Sequence, residues 1–375
     1  MQKNLLRSIT KKIFIIANIS LVVVFLMGCY GAFFNPAFWW FTGFFTLAAF
    51  YLLVLLVLFI LFWIFAKSRW ALISIIAIAL AYKPITNIIP LRFSSSFNLQ
   101  KNNSLRVMSW NVEHFDILEH KTHPEKKQQM LNLINEYQPD IACFQEMVGG
   151  DKNPQAINYL PDFMQQLHFA DYFYSYNVKL DFDGNHHFGI IIFSKFPIIN
   201  KQTVSFYPND YNSIFQYVDI VKGGDTIRVF NIHLQSLKFS TNNLKYIDHP
   251  EFEDSAAIAQ SKNIIGKFKV GFLKRMVQAE RIKAALNKSI YPVIICGDFN
   301  DVPNSYAYET IGSGLKNAFV EKGVGFGRTF TGISPTLRID NIFTDDKFNI
   351  QQFTGIKKKL SDHFPIIADV ETNKK

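Results

Sequence analysis

Residues 293–300 read VIICGDFN, and this stretch decides the fold class of the larger part of the chain. Its first half, residues 293–296, is a short apolar run rich in β-branched side chains, which is typical of a buried strand. Its second half is polar, with Asp298 and Asn300 placed where the strand ends. The same arrangement, an apolar strand that ends in an acid, amide or imidazole group, recurs along the chain.

Five more segments repeat this arrangement. They are Asn111 after the run 105–110, Gln145-Glu146 after 141–144, Asn231 and His233 within 229–233, Asp340-Asn341 within 338–343, and Ser361-Asp362-His363 before 364–370. Many short strands with few helices predict a two-layer β-sheet core with helices outside it. Singly, such polar residues often only cap turns. Together they predict one site, because strand ends bring side chains from distant parts of the sequence onto a rigid scaffold.

The residue types indicate the reaction. Carboxylate and amide oxygens are hard ligands, which suit Mg²⁺, with Mn²⁺ or Ca²⁺ as alternatives, better than zinc. Two histidines add proton transfer or charge stabilisation. The sequence contains no Walker loop, no GxSxG elbow and no HExxH helix. Hydrolysis of a phosphate ester fits this set, because its main tasks are charge neutralisation and water activation.

The six segments, in this order, resemble the signature blocks of the endonuclease/exonuclease/phosphatase superfamily. Deoxyribonuclease I, AP endonucleases, neutral sphingomyelinases and inositol polyphosphate 5-phosphatases belong to it. The blocks are SWN (109–111), FQE (144–146), NIH (231–233), GDFN (297–300), RID (338–340) and SDH (361–363). Each is short, and their combination over about residues 105–370 carries the resemblance. It implies a deoxyribonuclease I-like, four-layer α/β sandwich. The extended motifs of the 5-phosphatases are not matched, which disfavours an inositol phosphate substrate.

The resemblance also implies the metal ligands. Glu146 corresponds to the principal ligand of the family, and Asn111 and Asp362 are expected to help to hold the metal or its waters.

It implies a catalytic set as well. Asp298 and Asn300 are expected to position the phosphate and the attacking water. His363, oriented by Asp340, is expected to contact the phosphate and assist proton transfer. His233 takes the place of the family's second histidine or tyrosine, near the leaving group. Which group acts as the general base stays open.

The first quarter of the chain has a different composition. Apolar stretches at residues 13–34, 38–66 and 70–91 predict three transmembrane helices, since a spanning helix needs ~20 mostly apolar residues. The third is interrupted by Lys83-Pro84, and Pro84 is expected to kink it. Buried helices of a soluble protein are the alternative. Residues 26–29 (LMGC) resemble a lipoprotein processing site, but further apolar spans follow, which favours an uncleaved first helix.

The positive charge is concentrated beside these stretches. Seven of the 39 basic residues and none of the 30 acidic ones lie in residues 1–90, so 32 basic and 30 acidic residues remain for the rest. A nearly neutral domain has no strong electrostatic footprint for DNA. The basic N-terminus and the pair Lys67 and Arg69 predict a cytoplasmic N-terminus and second loop. Three spans then place the following domain on the non-cytoplasmic side of an inner or plasma membrane, and two spans would place it in the cytoplasm.

We therefore expect a transmembrane region at 1–91, a linker at 92–104 and a catalytic domain at 105–375. Residues 237–286 are expected to be mainly helical, with an apolar face that packs on the core or, alternatively, contacts a membrane surface. His186 and His187 are expected in a loop. Cys143 and Cys296 are expected to be buried and unpaired, although a disulfide between them stays open, and the cysteine spacing fits no zinc site.

The sequence thus predicts a membrane-anchored, metal-dependent phosphoesterase that hydrolyses a phosphodiester or phosphomonoester. Candidate substrates are a lipid head group, a small phosphoester or a nucleic acid. Anchoring to a lipid bilayer slightly favours lipid. The alternative is a catalytically inactive, membrane-tethered binding module, which the presence of Glu146, Asp298 and His363 disfavours. The sequence identifies no protein partner.

Overall fold

A computed structural model describes residues 2–94, 96–100, 103–150, 156–176, 185–205, 214–248 and 255–373. The helices are α1 (Gln2–Cys29), α2 (Pro36–Trp39), α3 (Thr42–Phe65), α4 (Ala71–Leu80), α5 (Tyr82–Ile88), α6 (Lys126–Tyr137), α7 (Leu160–Leu167), α8 (Thr241–Asp248), α9 (Ser255–Asn287), α10 (Tyr306–Gly312) and α11 (Ala318–Lys322). The strands are β1 (Leu105–Asn111), β2 (Ile141–Gly150), β3 (Asp171–Tyr176), β4 (His186–Ser194), β5 (Ile198–Ser205), β6 (Ile214–Lys222), β7 (Asp225–His233), β8 (Val293–Asp298), β9 (Lys316–Asn317), β10 (Asp340–Thr344), β11 (Phe348–Gly355) and β12 (Ile366–Thr372).

Two N-terminal helices are long and apolar enough to cross a membrane, Leu5–Cys29 within α1 and the whole of α3, by length and composition. Residues 70–91 do not form one straight helix. Instead, α4 and α5 meet at an angle of 69°, so a third span exists only if this bent pair counts as one. The helix bounds therefore differ from those expected from the sequence, and the division into domains stays a prediction.

The bend between α4 and α5 follows from Pro84. A proline in a helix cannot donate to the carbonyl four residues earlier, and its ring clashes with that carbonyl. The carbonyl concerned belongs to Leu80, the last residue of α4. It accepts a hydrogen bond from the Tyr30 hydroxyl instead (2.7 Å), so a side chain that follows α1 satisfies the group that Pro84 leaves unpaired.

The rest of the chain forms two six-stranded sheets. The first has the order β11-β12-β1-β2-β4-β3 and the second β5-β6-β7-β8-β10-β9. In the centre of each sheet one pair of strands is parallel, β1 with β2 and β7 with β8, whereas the flanking pairs are antiparallel. Parallel strands end at the same edge, so each sheet presents two strand ends side by side.

The two sheets pack face to face with helices outside both. One apolar core lies between the sheets and contains Val107, Ile141, Val229 and Ile294. A second core joins the first sheet to α6 and α7, and a third joins the second sheet to α9 and α10. The order helix, sheet, sheet, helix is the four-layer α/β sandwich, which confirms the expected fold. Cys143 and Cys296 lie in the central core as free thiols.

The apolar runs 189–193 and 217–221 also predict strands, and the structure has β4 and β6 there. Four strands were not identified from the sequence: β3, β5, β9 and β11. All four lie at sheet edges: β11 and β3 are the edges of the first sheet, and β5 and β9 are the edges of the second. Edge strands bury less of their surface, so polar residues interrupt the apolar pattern that identifies a central strand. The expectation of a loop at His186 and His187 was wrong, because both begin β4 and pair with Gly150 and Gly149 of β2.

A buried ion pair between Arg106 and Asp369 links the start of β1 to the neighbouring strand β12. Arg106 is fully buried and donates from Nε and Nη2 to the two carboxylate oxygens of Asp369, both at 2.7 Å. It also donates to the carbonyls of Asn98, Leu99 and Tyr137, so the guanidinium joins β1, β12, α6 and the segment before β1. Such a pair is costly to break, because removing one partner leaves the other charge buried and uncompensated.

We expect Arg106→Met to destabilise the protein by roughly 3–5 kcal/mol, since Asp369 would stay buried without its partner. Thermal unfolding of the full chain in detergent measures this as a lowered melting temperature. The matched control is Lys358→Met, which removes an ion pair to Glu136 whose side chains are 56% and 43% exposed. We expect less than about 1 kcal/mol for the control. Equal shifts for the two variants would contradict the assigned role of the buried pair.

Candidate active site

The site is built where the two parallel strand pairs end. Asn111 is the last residue of β1 and lies beside Gln145 of β2, next to Glu146. In the facing sheet His233 ends β7 and pairs with Asp298, the last residue of β8. The carboxyl ends of β1, β7 and β8 therefore converge with the middle of β2, which continues past Glu146 to Gly150.

Glu146 reaches this point through an irregularity in its strand. The pairing of β2 with β4 shifts between Phe144 and Met147, and Glu146 itself has φ 53°, in the left-handed region. A bulge of this kind redirects a side chain out of the regular alternation of the strand. The Glu146 carboxylate lies 3.5 Å from His114 Nε2 and 3.8 Å from His233 Nε2.

The electrostatics at Glu146 favour a cation. Burial, first, and the charges of Asp362 and Asp298 raise the pKa of Glu146 to about 7, against the charge of His363 and a hydrogen bond from Asn111, which lower it. Within the described part of the chain, no lysine or arginine forms a salt bridge with these three carboxylates. Clustered, buried oxygen donors without such a counter-charge fit a hard divalent ion, which would favour their ionised forms.

Asp298 is the most extensively hydrogen-bonded of these carboxylates. It accepts from the backbone N–H of Asn300 (2.7 Å) and from the side-chain amides of Asn300 and Asn111 (both 3.2 Å). His233 and His363 lie 3.5 and 3.7 Å from its Oδ2 atom. Asn300 has φ 49° and also donates to the carbonyl of Leu234, so it fixes the turn that holds Asp298.

His363 and Asp340 form a second unit. His363 Nδ1 lies 2.9 Å from Asp340 Oδ2 in a fully buried hydrogen bond. Burial, the largest single influence, lowers the pKa of His363, but the charges of Asp340 and Asp298 outweigh it and hold that pKa well above its usual value. Trp110 Nε1 donates to the backbone carbonyl of His363, and Thr329 Oγ1 accepts from the backbone N–H of Asp340. These bonds fix the backbone positions of both His363 and Asp340.

Asp362 occupies the rim of the same cavity as Asn111 and Glu146. Its backbone N–H donates to the Glu113 carboxylate (3.1 Å), and the neighbouring Ser361 hydroxyl donates to the carbonyl of Asn111 (2.7 Å). These bonds join the segment before β12 to the end of β1. The structure thus brings together all eight residues that the sequence identified, while their individual roles stay predictions.

Two residues of the site were missed by sequence reasoning, Glu113 and His114. They follow Asn111 by two and three residues, in a turn where Glu113, His114, Phe115 and Asp116 all have positive φ. Four such residues in succession are strained, and strain of this kind concentrates at functional sites. The turn holds His114 beside Glu146, and burial lowers the pKa of His114 to about 4, so this histidine is a neutral neighbour. The only available signal was a polar pair directly after a strand end.

Two polar residues of the blocks serve the scaffold instead. Asn231 is fully buried and donates across the sheets to the carbonyls of Phe144 (3.0 Å) and Ile191 (2.8 Å). Gln145 Nε2 in turn donates to Asn231 Oδ1 (2.6 Å). This amide pair joins β7 to β2 and β4, one strand position away from Glu146.

A different metal arrangement also exists among the described residues. Asp298, Asp340 and His363 each offer a ligand atom within 4.8 Å of the others. However, Asp340 and His363 already satisfy each other at 2.9 Å, which is the geometry of an oriented histidine. No lysine or arginine of the described residues forms a salt bridge with Glu146 or Asp362, so the set around Glu146 is the better candidate for the ion.

Comparisons with known proteins agree with this geometry. A family model described as the endonuclease/exonuclease/phosphatase family matches residues 108–363. A second model, described as a domain of unknown function, matches residues 11–88. No protein with a curated function matches the chain.

Solved structures show the same fold. An endonuclease/exonuclease/phosphatase family protein from Bacteroides thetaiotaomicron is 17% identical, with a TM-score of 0.53 over 73% of this chain and 100% of that one. Another, from Bacteroides vulgatus, is 16% identical (TM-score 0.51; 72% and 100% covered). D. rerio TDP2, solved with a single-strand DNA product, is 15% identical (TM-score 0.51; 72% and 100% covered). The resemblance seen in the sequence blocks is confirmed: since the matching family model spans more than half of the sequence and includes all eight site residues, the chain belongs to the endonuclease/exonuclease/phosphatase family.

Proposed function

We propose that this protein is a membrane-anchored, divalent-metal-dependent phosphoesterase. Membership of the family supports a hydrolase of the phosphoesterase or nuclease type. The observation that carries the metal dependence is the cluster of oxygen donors Asn111, Glu146, Asp298 and Asp362 in one cavity, with which no lysine or arginine of the described residues forms a salt bridge. The helices α1 and α3, which are apolar enough to span a bilayer, support the anchoring.

In this proposal Glu146 is the principal ligand of Mg²⁺, with Mn²⁺ or Ca²⁺ as alternatives. Asn111 and Asp362, which line the same cavity, would help to hold the ion or its waters. When bound, the ion supplies positive charge that neutralises the phosphate and stabilises charge on the leaving oxygen.

The histidine unit supplies the second positive charge. Asp340 accepts a hydrogen bond from the Nδ1–H group of His363, which leaves the Nε2 atom directed toward Asp298. Because its pKa is raised, His363 is protonated at neutral pH and can donate from Nε2 to a phosphoryl oxygen. Trp110 and Thr329 keep this donor in place before the substrate arrives.

Asp298 and Asn300 are assigned to the attacking side. Asp298 Oδ2 lies between the two histidines, where it can accept a hydrogen bond from a water and orient its lone pair toward phosphorus. Asn300 holds that carboxylate from its backbone and side chain. His233 is only 1% exposed and lies 3.8 Å from Glu146 and 3.5 Å from Asp298, and in this proposal it acts near the leaving oxygen.

The test is hydrolysis by the full chain in lipid nanodiscs, with Mg²⁺, Mn²⁺ or Ca²⁺ added. Substrates are an aryl phosphodiester, an aryl phosphomonoester, sphingomyelin, phosphatidylinositol phosphates, RNA and plasmid DNA. We expect EDTA to abolish turnover and Glu146→Gln to lower it by at least ~10²-fold while weakening Mn²⁺ binding measured by EPR. The control is Glu136→Gln, which changes an exposed carboxylate of α6.

Two results would contradict this proposal. A folded protein that binds Mn²⁺ but hydrolyses none of these substrates would favour the inactive binding module. Turnover that survives both EDTA and Glu146→Gln would remove the metal from the proposal.

A second prediction separates the histidine unit from the metal site. Asp340→Asn removes the charge that raises the pKa of His363 and loosens its orientation. We therefore expect kcat to fall by roughly 10²-fold or more, while Mn²⁺ affinity and KM change little. The matched control is Asp346→Asn, a 79% exposed carboxylate that follows the same strand. If Asp340→Asn weakens Mn²⁺ binding tenfold instead, the cluster of Asp298, Asp340 and His363 holds the ion.

We also propose that the α/β domain lies on the non-cytoplasmic side of an inner or plasma membrane. The basis is the basic residues before α1, the pair Lys67 and Arg69 after α3, and the bent pair α4–α5 counted as a third span. In a bacterial host, a C-terminal alkaline phosphatase fusion is expected to be active and a C-terminal GFP fusion to be dark. Fusions at Lys67 should behave in the reverse way. A fluorescent C-terminal GFP would show that α4–α5 does not cross.

A further inference from the structure

The cavity of the candidate active site has a wall made by α3. Its volume is about 530 Å³, within the range of small-molecule sites. One pole is polar and contains Glu146, Asp298 and His363. The other is lined from α3 by Phe44, Leu47, Ala48 and Tyr51. A helix that is apolar enough to cross a membrane is therefore part of the site itself.

The level of this wall in a bilayer follows from the length of α3. The hydrocarbon core is ~30 Å thick, which is ~20 residues of helix. The helix α3 ends at Phe65, and the basic residues Lys67 and Arg69 follow it. If the hydrocarbon core begins at this end of α3, its ~30 Å extend along the helix back to about Thr46. Trp39 and Trp40 precede α3, where aromatic side chains of membrane interfaces are common. The wall thus lies at the boundary between head groups and acyl chains.

The apolar lining continues from α3 onto residues of the α/β domain. Phe239, Leu244 and Phe268 line the cavity from the segment before α8, from α8 and from α9. The Phe268 ring packs against Phe239 (centroids 5.5 Å apart) and against Phe44 of α3 (5.1 Å), which closes one end of the groove. Ile333, which is 45% exposed, lies on the remaining side.

Hydrogen bonds fix the apolar part of the cavity, here called the groove, relative to the polar part that contains Glu146, Asp298 and His363. Tyr51 and Ser334 share a hydrogen bond of 2.8 Å that joins α3 to the loop before Asp340. In the same loop, buried Arg338 donates to the carbonyls of Asn87 and Ile88 at the end of α5. The membrane-side helices and the loop that leads to Asp340 therefore form one packed unit.

The charges do not suit a nucleic acid chain. A strand of DNA or RNA needs repeated basic contacts along its backbone. Lys238 and Arg275 are the lysine and arginine among the lining residues of the described chain. Arg275 is already bound to the Asp301 carboxylate (3.1 Å) and to the carbonyl of Gln235 (2.9 Å).

We propose that the substrate is an amphiphilic phosphoester whose phosphate binds at Glu146, Asp298 and His363 and whose apolar chain lies against Leu47 and Ala48 of α3. This inference rests on the proposed phosphoesterase function and names its substrate class. Moving an alkyl chain into water weakens binding about fourfold per methylene. A wall at the level of the acyl chains lets the phosphate reach the site while the chain stays in apolar surroundings.

The test compares p-nitrophenyl ethyl phosphate with p-nitrophenyl dodecyl phosphate, using the full chain in phosphatidylcholine nanodiscs with Mg²⁺. The wild type is expected to have a higher kcat/KM for the dodecyl ester. Ala48→Trp fills the groove, and we expect it to lower the dodecyl-to-ethyl ratio of kcat/KM by about tenfold or more, equivalent to about two buried methylenes. The control is Leu55→Trp, two turns farther along α3 at a side chain that is 46% exposed and does not line the cavity. It is expected to keep the wild-type ratio, which also corrects for partition of the longer ester into the nanodisc.

A second readout does not depend on turnover. A dodecyl phosphonate with a diazirine at the end of its chain is expected to label residues 44–51 of α3, and Ala48→Trp is expected to reduce that labelling.

Each combination of results decides one of the two proposals. Hydrolysis of the ethyl ester without chain-length preference and without labelling overturns this inference and leaves the phosphoesterase standing. Labelling of α3 without hydrolysis of any phosphoester supports the groove and overturns the phosphoesterase. Faster hydrolysis of an oligonucleotide than of the dodecyl ester overturns the amphiphile as substrate.

Discussion

The buried amide of Asn231 holds the two sheets in the register on which the site depends. It reaches from β7 into the first sheet and bonds the carbonyls of Phe144 and Ile191, while Gln145 bonds it in return. The surrounding core is apolar and has no directional preference, so contacts between the two sheets could slide at little cost. Buried polar groups must find their partners, and this requirement selects one register. In that register Glu146 faces Asp298 across the gap between the sheets.

The site that results has an unfavourable electrostatic free energy, because it brings carboxylates close together. The strands β2 and β8 and the segment before β12 bring Glu146, Asp298 and Asp362 together, and burial raises the pKa values of Glu146 and Asp298. A site that concentrates negative charge without lysine or arginine partners is less stable than a neutral one, and a divalent cation removes that penalty. The scaffold compensates elsewhere through large cores on both sides of each sheet. This division of labour is common in enzymes, where rigid packing supports a locally strained centre.

The N-terminal helices are packed on the α/β domain rather than attached only through the linker. Asn87 of α5 donates to Asn304 and Glu309, and Arg338 returns bonds to the end of α5. Burial lowers the pKa of Arg338 to about 10, yet the helix carbonyls that it contacts carry the partial negative charge of a helix C-terminus and favour its charged form. Residues of α3 line the same cavity, so the N-terminal helices contribute directly to the shape of the site.

The sequence by itself determined the class of the fold and the family, and it predicted the eight candidate site residues that the structure brings together, because apolar strands and the polar groups beside them are local patterns. The same holds for the apolar helices and for the break caused by Pro84. Only the tertiary structure decided which of the polar residues meet. It showed that Asn231 links the two sheets, whereas His233, two residues later, lies in the site. It also showed that a turn of positive φ places Glu113 and His114 in the site. It also placed α3 against the cavity, since contacts between residues ~100 to ~300 positions apart depend on how layers pack and leave no periodic signal in the chain.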